Sequence, residues 1–223
     1  MIILVGGEKG GTGKTSLSQN LAACLQLRTQ SRVALVDCDP QRCTSQWEQA
    51  RQQLSLPKID CVQLYGNIGN DLASLQRSYG IVIVDCGSSD QRALRSSFMV
   101  ADYALLPLRP KLGDLRTLSQ LNELIYTCKL VNRKLKHAIV LTQCPVATPL
   151  QARLADAIQV CRDNGVKLLS AATHELDIYD DCQASGYSVG ELEPDGHAAQ
   201  EIEAIAEELL MELELLPEME QVS

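Results

Sequence analysis

Residues 2 to 16 read IILVGGEKGGTGKTS: four apolar residues, then five glycines in eight positions, then a lysine and two hydroxyl side chains. A short continuous apolar run bounded by turn residues reads as a strand buried on both faces. A strand, a glycine-rich turn and a helix beginning near Lys14 would aim several backbone N–H groups at one point, where a phosphate fits. Six further apolar runs follow: VALVD at 33–37, CVQL at 61–64, IVIVD at 81–85, YALLPL at 103–108, AIVLTQ at 138–143 and VKLL at 166–169. Most are continuous rather than alternating, and amphipathic stretches long enough for crossover helices separate them. The pattern predicts an α/β fold: repeated βαβ units forming a mostly parallel central sheet flanked by helices.

The chain has 223 residues, 45% of them hydrophobic, which suits one compact domain over 1–223. Its last segment predicts an amphipathic helix from about Gly196 to Leu215, with Ile202, Ile205, Ala206, Leu209 and Leu213 on the inner face and glutamates outside. No stretch approaches the ~18 consecutive apolar residues of a membrane span. Met1 leads into the first apolar run with no basic segment, so no signal peptide is expected. The nine cysteines stand singly with no CxxC pair, as small core residues do in a reducing cytoplasm. The net charge of −8 is unevenly spread: residues 191–223 hold 11 acidic side chains and no lysine or arginine. Residues 92–136 hold nine basic and three acidic ones, Asp102, Asp114 and Glu123, so a basic surface remains open to this chain.

Within the glycine-rich loop, Gly13 allows close backbone approach, Lys14 reaches β- and γ-phosphates, and Thr15 offers a hydroxyl to Mg²⁺. The usual GxxxxGK[ST] spacing would need glycine at position 8, where this chain has Glu8. Lys9-Gly10-Gly11-Thr12-Gly13-Lys14-Thr15 instead resembles the deviant Walker A motif, KGGxGK[ST], of the ParA/MinD family. That resemblance implies a P-loop ATPase fold, with ATP and Mg²⁺ held by Gly10, Gly11, Thr12, Gly13, Lys14, Thr15 and Ser16. It implies that Lys9 crosses to the nucleotide of a second copy in an ATP-bound sandwich homodimer. VALVDCDPQ resembles the family's DxDPQ motif, which implies that Asp39 positions or activates water and Asp37 joins the Mg²⁺ hydration shell. Both carboxylates are expected to face the same way, as residues i and i+2 of a strand do. IVIVDC resembles Walker B and makes Asp85 a second aspartate holding Mg²⁺ through water. Glu8 either slows turnover or points away.

The rest of the resemblance is looser. CGSSDQ (86–91) occupies the place of the second switch loop without its common prolines, and its residues stay unassigned. LPLRPKLGD resembles a stretch near the dimer interface of small partition ATPases, making Asp114 an interface candidate or a helix N-cap. Adenine contacts are expected from Thr142 to Pro149. The chain starts at its first strand, so the helix-turn-helix extension of longer ParA proteins is not expected. An acidic tail argues against MinD-like membrane binding, and the lack of CxxC against iron–sulfur relatives. The small ParA-type plasmid partition ATPases are the best likeness. This implies an ATP-dependent, cytoplasmic, nucleoid-associated dimer that binds nonspecific DNA and segregates a cargo with a centromere-binding or adaptor protein. Lys129, Arg133, Lys134 and Lys136, in KLVNRKLK, are the candidate DNA contacts. Two alternatives stay open: the same switch with a non-plasmid cargo, and a synthetase similar to dethiobiotin synthetase.

Overall fold

The computed structural model of the chain describes residues 1–146 and 151–214, with backbone alone for 151–153. Seven strands alternate with helices: β1 (Ile2–Gly6), α1 (Lys14–Thr29), β2 (Val33–Asp37), α2 (Cys43–Arg51), β3 (Asp60–Gln63), α3 (Gly69–Ser78), β4 (Ile81–Cys86), α4 (Gln91–Phe98) and β5 (Tyr103–Leu108). After them come α5 (Leu112–Leu115), α6 (Leu118–Val131), β6 (Lys136–Cys144), α7 (Gln151–Asp163), β7 (Leu168–His174), α8 (Ile178–Ser185), α9 (Val189–Leu192) and α10 (His197–Glu212). The sheet order is β3-β2-β4-β1-β5-β6-β7. Every pairing is parallel. The expected α/β architecture is therefore present.

The central strands earn their continuous apolar runs by facing two cores. In β1, Ile2 and Leu4 pack on one side with Phe98, Leu118 and Ile125. Ile3 and Val5 pack on the other with Leu21, Trp47, Ile205 and Leu209. The edges are less legible. β7 starts two residues later than the VKLL run and continues through SAATH, where bulges interrupt its pairing with β6 and much of it is half-exposed. β7 is the last strand of the sheet, paired along one edge only, and such edge positions are less fully covered by apolar neighbours. The last helix spans His197–Glu212 and buries Ile202, Ile205, Ala206 and Leu209 as expected. Its expected end, Leu215, lies outside the described residues. Glu201 breaks the expected polar face, because it is buried.

All nine cysteines are free thiols, six of them buried. Among the described residues no helix is long and apolar enough to cross a membrane.

The corner where α2 meets α8 and α9 is tied by one buried arginine. Arg51 pairs bidentately with Glu191 at 2.6 and 2.7 Å and donates to the carbonyls of Pro57 and Gly186. Gly186 ends α8 at φ +81°, and a Cβ placed there would lie 2.4 Å from the backbone nitrogen of Arg51. Neither the left-handed backbone nor the contact tolerates a side chain. Gly186→Ala should lower unfolding stability by at least about 2 kcal/mol, read as a lower urea midpoint at unchanged slope. A wild-type midpoint would show that α8 ends with slack.

Candidate functional site: a phosphate-binding loop and its acidic wall

The strands are parallel, so their C-terminal ends share one edge of the sheet, and the loop after β1 lies where the chain switches sides between β4 and β5. Gly13 caps α1 with left-handed backbone (φ 75°), and Thr142 at the end of β6 donates to the carbonyl of Thr12 at 2.9 Å. The loop is thus pinned to the sheet. Lys14 is buried, and its Nζ donates to the carbonyl of Lys9 at 2.5 Å and to Thr12 Oγ1 at 3.4 Å. Burial holds the Lys14 ammonium below its usual pKa range, while Asp85 and Asp39 pull it back up. The hydroxyl of Ser16 is buried without a hydrogen-bond partner. An adjacent cavity of about 470 Å³ is lined by residues Gly10 to Leu17, Asp39 and Gly87 and reaches the loop after β7. An unpartnered hydroxyl, a buried cation and the N-terminus of a 16-residue helix converge on this cavity. That donor set suits a nucleotide's phosphate chain.

Lys9 is not on the cavity wall, unlike Gly10 to Ser16. With Glu8 it lines a separate small cleft against Leu106, Pro107 and Thr117. Among the described residues no salt bridge engages Lys9. Glu8 lines this cleft and not the phosphate cavity. Of the two readings of Asp114, the helix N-cap is corrected. The residue caps no helix but sits within α5, where burial and a pair with Arg109 (Nε to Oδ2, 2.6 Å) occupy its carboxylate. Arg109 is one residue that sequence reasoning missed: held by Asp114, its Nη1 lies 3.6 Å from where a Cβ on Gly11 would be.

Of the stretch expected to contact adenine, Thr142 to Pro149, Gln143 lines the cavity. Thr142 serves the phosphate loop, and residues 147–150 lie outside the described chain. The cavity's far end also includes the β7–α8 segment, with Thr173, His174, Tyr179 and Gln183. Lys129, Arg133, Lys134 and Lys136 lie around the N-terminal end of β6, away from the loop edge. Two of them are already paired, Lys134 with Asp102 at 2.8 Å and Lys136 with Glu214 at 3.1 Å.

The two aspartates at the strand ends stand directly opposite each other in the β2–β4 register, Asp37 beside Asp85. Asp37 is corrected as a cavity-facing group. It is fully buried, Oδ2 accepts from the backbone and hydroxyl of Ser45, and Oδ1 accepts from the backbone of Asp39. Asp39 does face the cavity, with Oδ1 fixed by Gln41 N and Oδ2 lying 3.2 Å from a Cβ position on Gly87. Asp85 accepts from Thr44 Oγ1 at 2.7 Å, and Thr15, the residue offered for Mg²⁺, is near enough to favour its charged form. Burial, helped by the charge of Asp37, pushes Asp85 up to about 6 against the lowering effects of Thr44, Thr15 and Lys14. A carboxyl that holds its proton more tightly when folded costs stability as pH rises from 3.8 to about 6, and the full cost stands above that. In nucleotide-free protein, Asp85→Asn should therefore raise stability by ~3 kcal/mol at pH 7.5. The gain should shrink at pH 5, and urea unfolding at both values measures it. A gain independent of pH would show that Asp85 is not the titrating group.

Residues 3–223 match the family model described as the CobQ/CobB/MinD/ParA nucleotide binding domain. The chain is 32% identical over 216 residues to the Maintenance of carboxysome distribution protein A of Halothiobacillus neapolitanus, covering 93% of this chain and 95% of that one. A protein of the same description from Gloeobacter kilaueensis is 30% identical over 215 residues, covering 93% of each chain. The MinD cell division protein of Aquifex aeolicus shares the fold at a TM-score of 0.74 and 16% identity, covering 94% of this chain and 97% of its own. The expected likeness to plasmid partition proteins in particular gives way to a broader one, because the two relatives named are carboxysome distribution proteins. With its loop, lysine pair and acidic strand ends, the chain belongs to the CobQ/CobB/MinD/ParA family and is a ParA/MinD-type ATPase.

Proposed function

We propose that this chain is a positioning switch in which ATP joins two copies into a dimer on nonspecific DNA and an adaptor protein triggers hydrolysis and release. The reading places it in the cytoplasm, on the nucleoid while ATP is bound. The observation that carries the switch is the divergence of the two lysines. Lys14 lines its own cavity, whereas Lys9 is turned off it and without an ion pair among the described residues. Such a cation is available to the nucleotide of a second subunit. For the cargo, full-length similarity to two carboxysome distribution proteins favours a large protein assembly over a plasmid.

ATP with Mg²⁺ supplies a transferable phosphoryl group whose developing charge the metal neutralises. The chain's own residues then divide the work. Backbone N–H groups from Gly10 to Thr15, Lys14 and the Ser16 hydroxyl bind the phosphates, and Thr15 and Asp85 hold the metal. Asp37 acts one layer back, fixing Ser45 and the backbone of Asp39. Asp39 orients the attacking water with the oxygen that Gln41 leaves free. Lys9 of the partner subunit adds positive charge in the transition state. DNA phosphates would be met by Lys129, Arg133, Lys134 and Lys136, or by the exposed Arg92, Arg95, Lys111 and Arg116, which follow the loop ends of β4 and β5.

Binding to a labelled random duplex with ATP–Mg²⁺, ADP–Mg²⁺ or neither tests the switch, and affinity should appear only with ATP. Equal affinity in all three states would remove the gating. Lys9→Ala should keep nucleotide binding, lose the ATP dimer and lower stimulated hydrolysis about 10³-fold. Asp39→Ala should keep the dimer on DNA and lower hydrolysis about 100-fold. Intact dimers with the first variant, or monomers with the second under saturating ATP, would overturn these roles. Replacing each basic foursome with alanine identifies the DNA surface by its change in salt slope. In the host, deleting the gene should disturb the spacing of a protein assembly and leave plasmid retention unchanged, and the reverse result would return the plasmid reading.

A further inference from the structure

We propose that His174, His197 and Glu201 form a transition-metal site of the Zn²⁺ class in the wall of the nucleotide cavity, separate from the Mg²⁺ position. The three residues come from two elements that pack together: His174 ends β7, His197 opens α10, and Glu201 lies one turn further on. Nδ1 of His174 is 2.6 Å from Glu201 Oε1, and Nδ1 of His197 is 3.2 Å from the same oxygen. The donor atoms of all three lie within 4.8 Å of one another. Tetrahedral bonds of ~2.1 Å would set donors ~3.4 Å apart, so small adjustments bring the set around one ion.

The carboxylate is built in rather than left on the surface. Glu201 is buried, whereas the other glutamates of the helix, Glu203, Glu207, Glu208 and Glu212, are exposed or partly buried. Its second oxygen accepts from Tyr179 OH at 2.7 Å, and the backbone nitrogen of His174 donates to both oxygens at 3.2 and 3.3 Å. Those contacts come from outside the donor set and fix the carboxylate's direction, as outer-shell partners do at metal sites. Two imidazole nitrogens and one carboxylate suit Zn²⁺ and its neighbours in softness and disfavour Mg²⁺. A fourth position stays open to water. Because His174 also lines the cavity's far end, the ion would brace that wall by tying α10 to β7 and, through Tyr179, to α8. The competing arrangement is a glutamate shared by two imidazole N–H donors with no ion at all.

Tag-free protein, stripped with chelator and desalted, is titrated with Zn²⁺ by calorimetry and with Co²⁺ by visible absorption. One saturable Zn²⁺ per chain is expected, together with a raised melting temperature and a four-coordinate Co²⁺ spectrum lacking thiolate charge-transfer bands. His197 is 65% exposed at its side chain, so His197→Ala should keep the metal-free melting temperature while lowering Zn²⁺ affinity at least about tenfold. Tyr179→Phe, which removes only the positioning hydroxyl, should lower it about tenfold. No saturable binding, unchanged affinity in His197→Ala, or a thiolate band pointing to the cysteines would each overturn the site. Nucleotide binding with Mg²⁺, measured alongside, reports separately on the ATPase reading.

Discussion

Two buried carboxylates held side by side govern the site. The β2–β4 register sets Asp37 against Asp85 with almost no solvent on either, an arrangement that repels unless donors surround it. The chain meets that demand with one short helix. Arg42 takes a left-handed conformation (φ 58°) and turns α2 back over the strand ends. Thr44 then reaches Asp85 and Ser45 reaches Asp37, each at 2.7 Å. The remaining imbalance stays on Asp85, whose proton affinity is raised, beside a lysine whose own is lowered by burial. A site under such strain favours a divalent cation, because the ion supplies the positive charge that the protein withholds.

The same pair explains where strand logic reached its limit. Alternation along a strand puts residues i and i+2 on one face, which predicts Asp37 and Asp39 pointing together. β2 ends at Asp37, however. Beyond it, Cys38 N bonds the carbonyl of Asp85, and Asp39 N folds back onto Asp37 Oδ1. Asp37 becomes a buried brace, and Asp39 swings out over Gly87. A two-residue rule holds only while the ladder continues.

What was legible was local. Runs such as IILV, VALVD and IVIVD announced strands because both of their faces are buried, and the loop from Lys9 to Ser16 announced itself because its chemistry lies in consecutive residues. Edge strands β3 and β7 were blurred by half-exposed positions. The groups that reading missed all depend on side-chain contacts between different segments of the chain. Thr44 and Ser45 needed α2 to bring them to Asp85 and Asp37, Arg109 needed Asp114 to hold it toward Gly11, and Glu201 needed His174 from a strand 27 residues earlier. Spacing in one dimension carries no such information.

The polarity of the sheet bears on how nucleotide and DNA communicate. The phosphate loop lies at the C-terminal strand ends, whereas Lys134 and Lys136 lie at the opposite end, across strands of six to nine residues that span about 20 Å or more. Two copies meeting through their loops would carry those lysines outward, far from the contact, with Asp102 and Glu214 already offsetting two of the charges. Their charge toward DNA would then be nearly the same in monomer and dimer. Basic groups beside the loop edge, on α4 and around α5, would change their neighbours if two copies joined there. Two such surfaces brought together bind phosphates more steeply than either alone. If the nucleotide gates DNA binding, the gate belongs at the loop end, and the distal lysines supply background attraction.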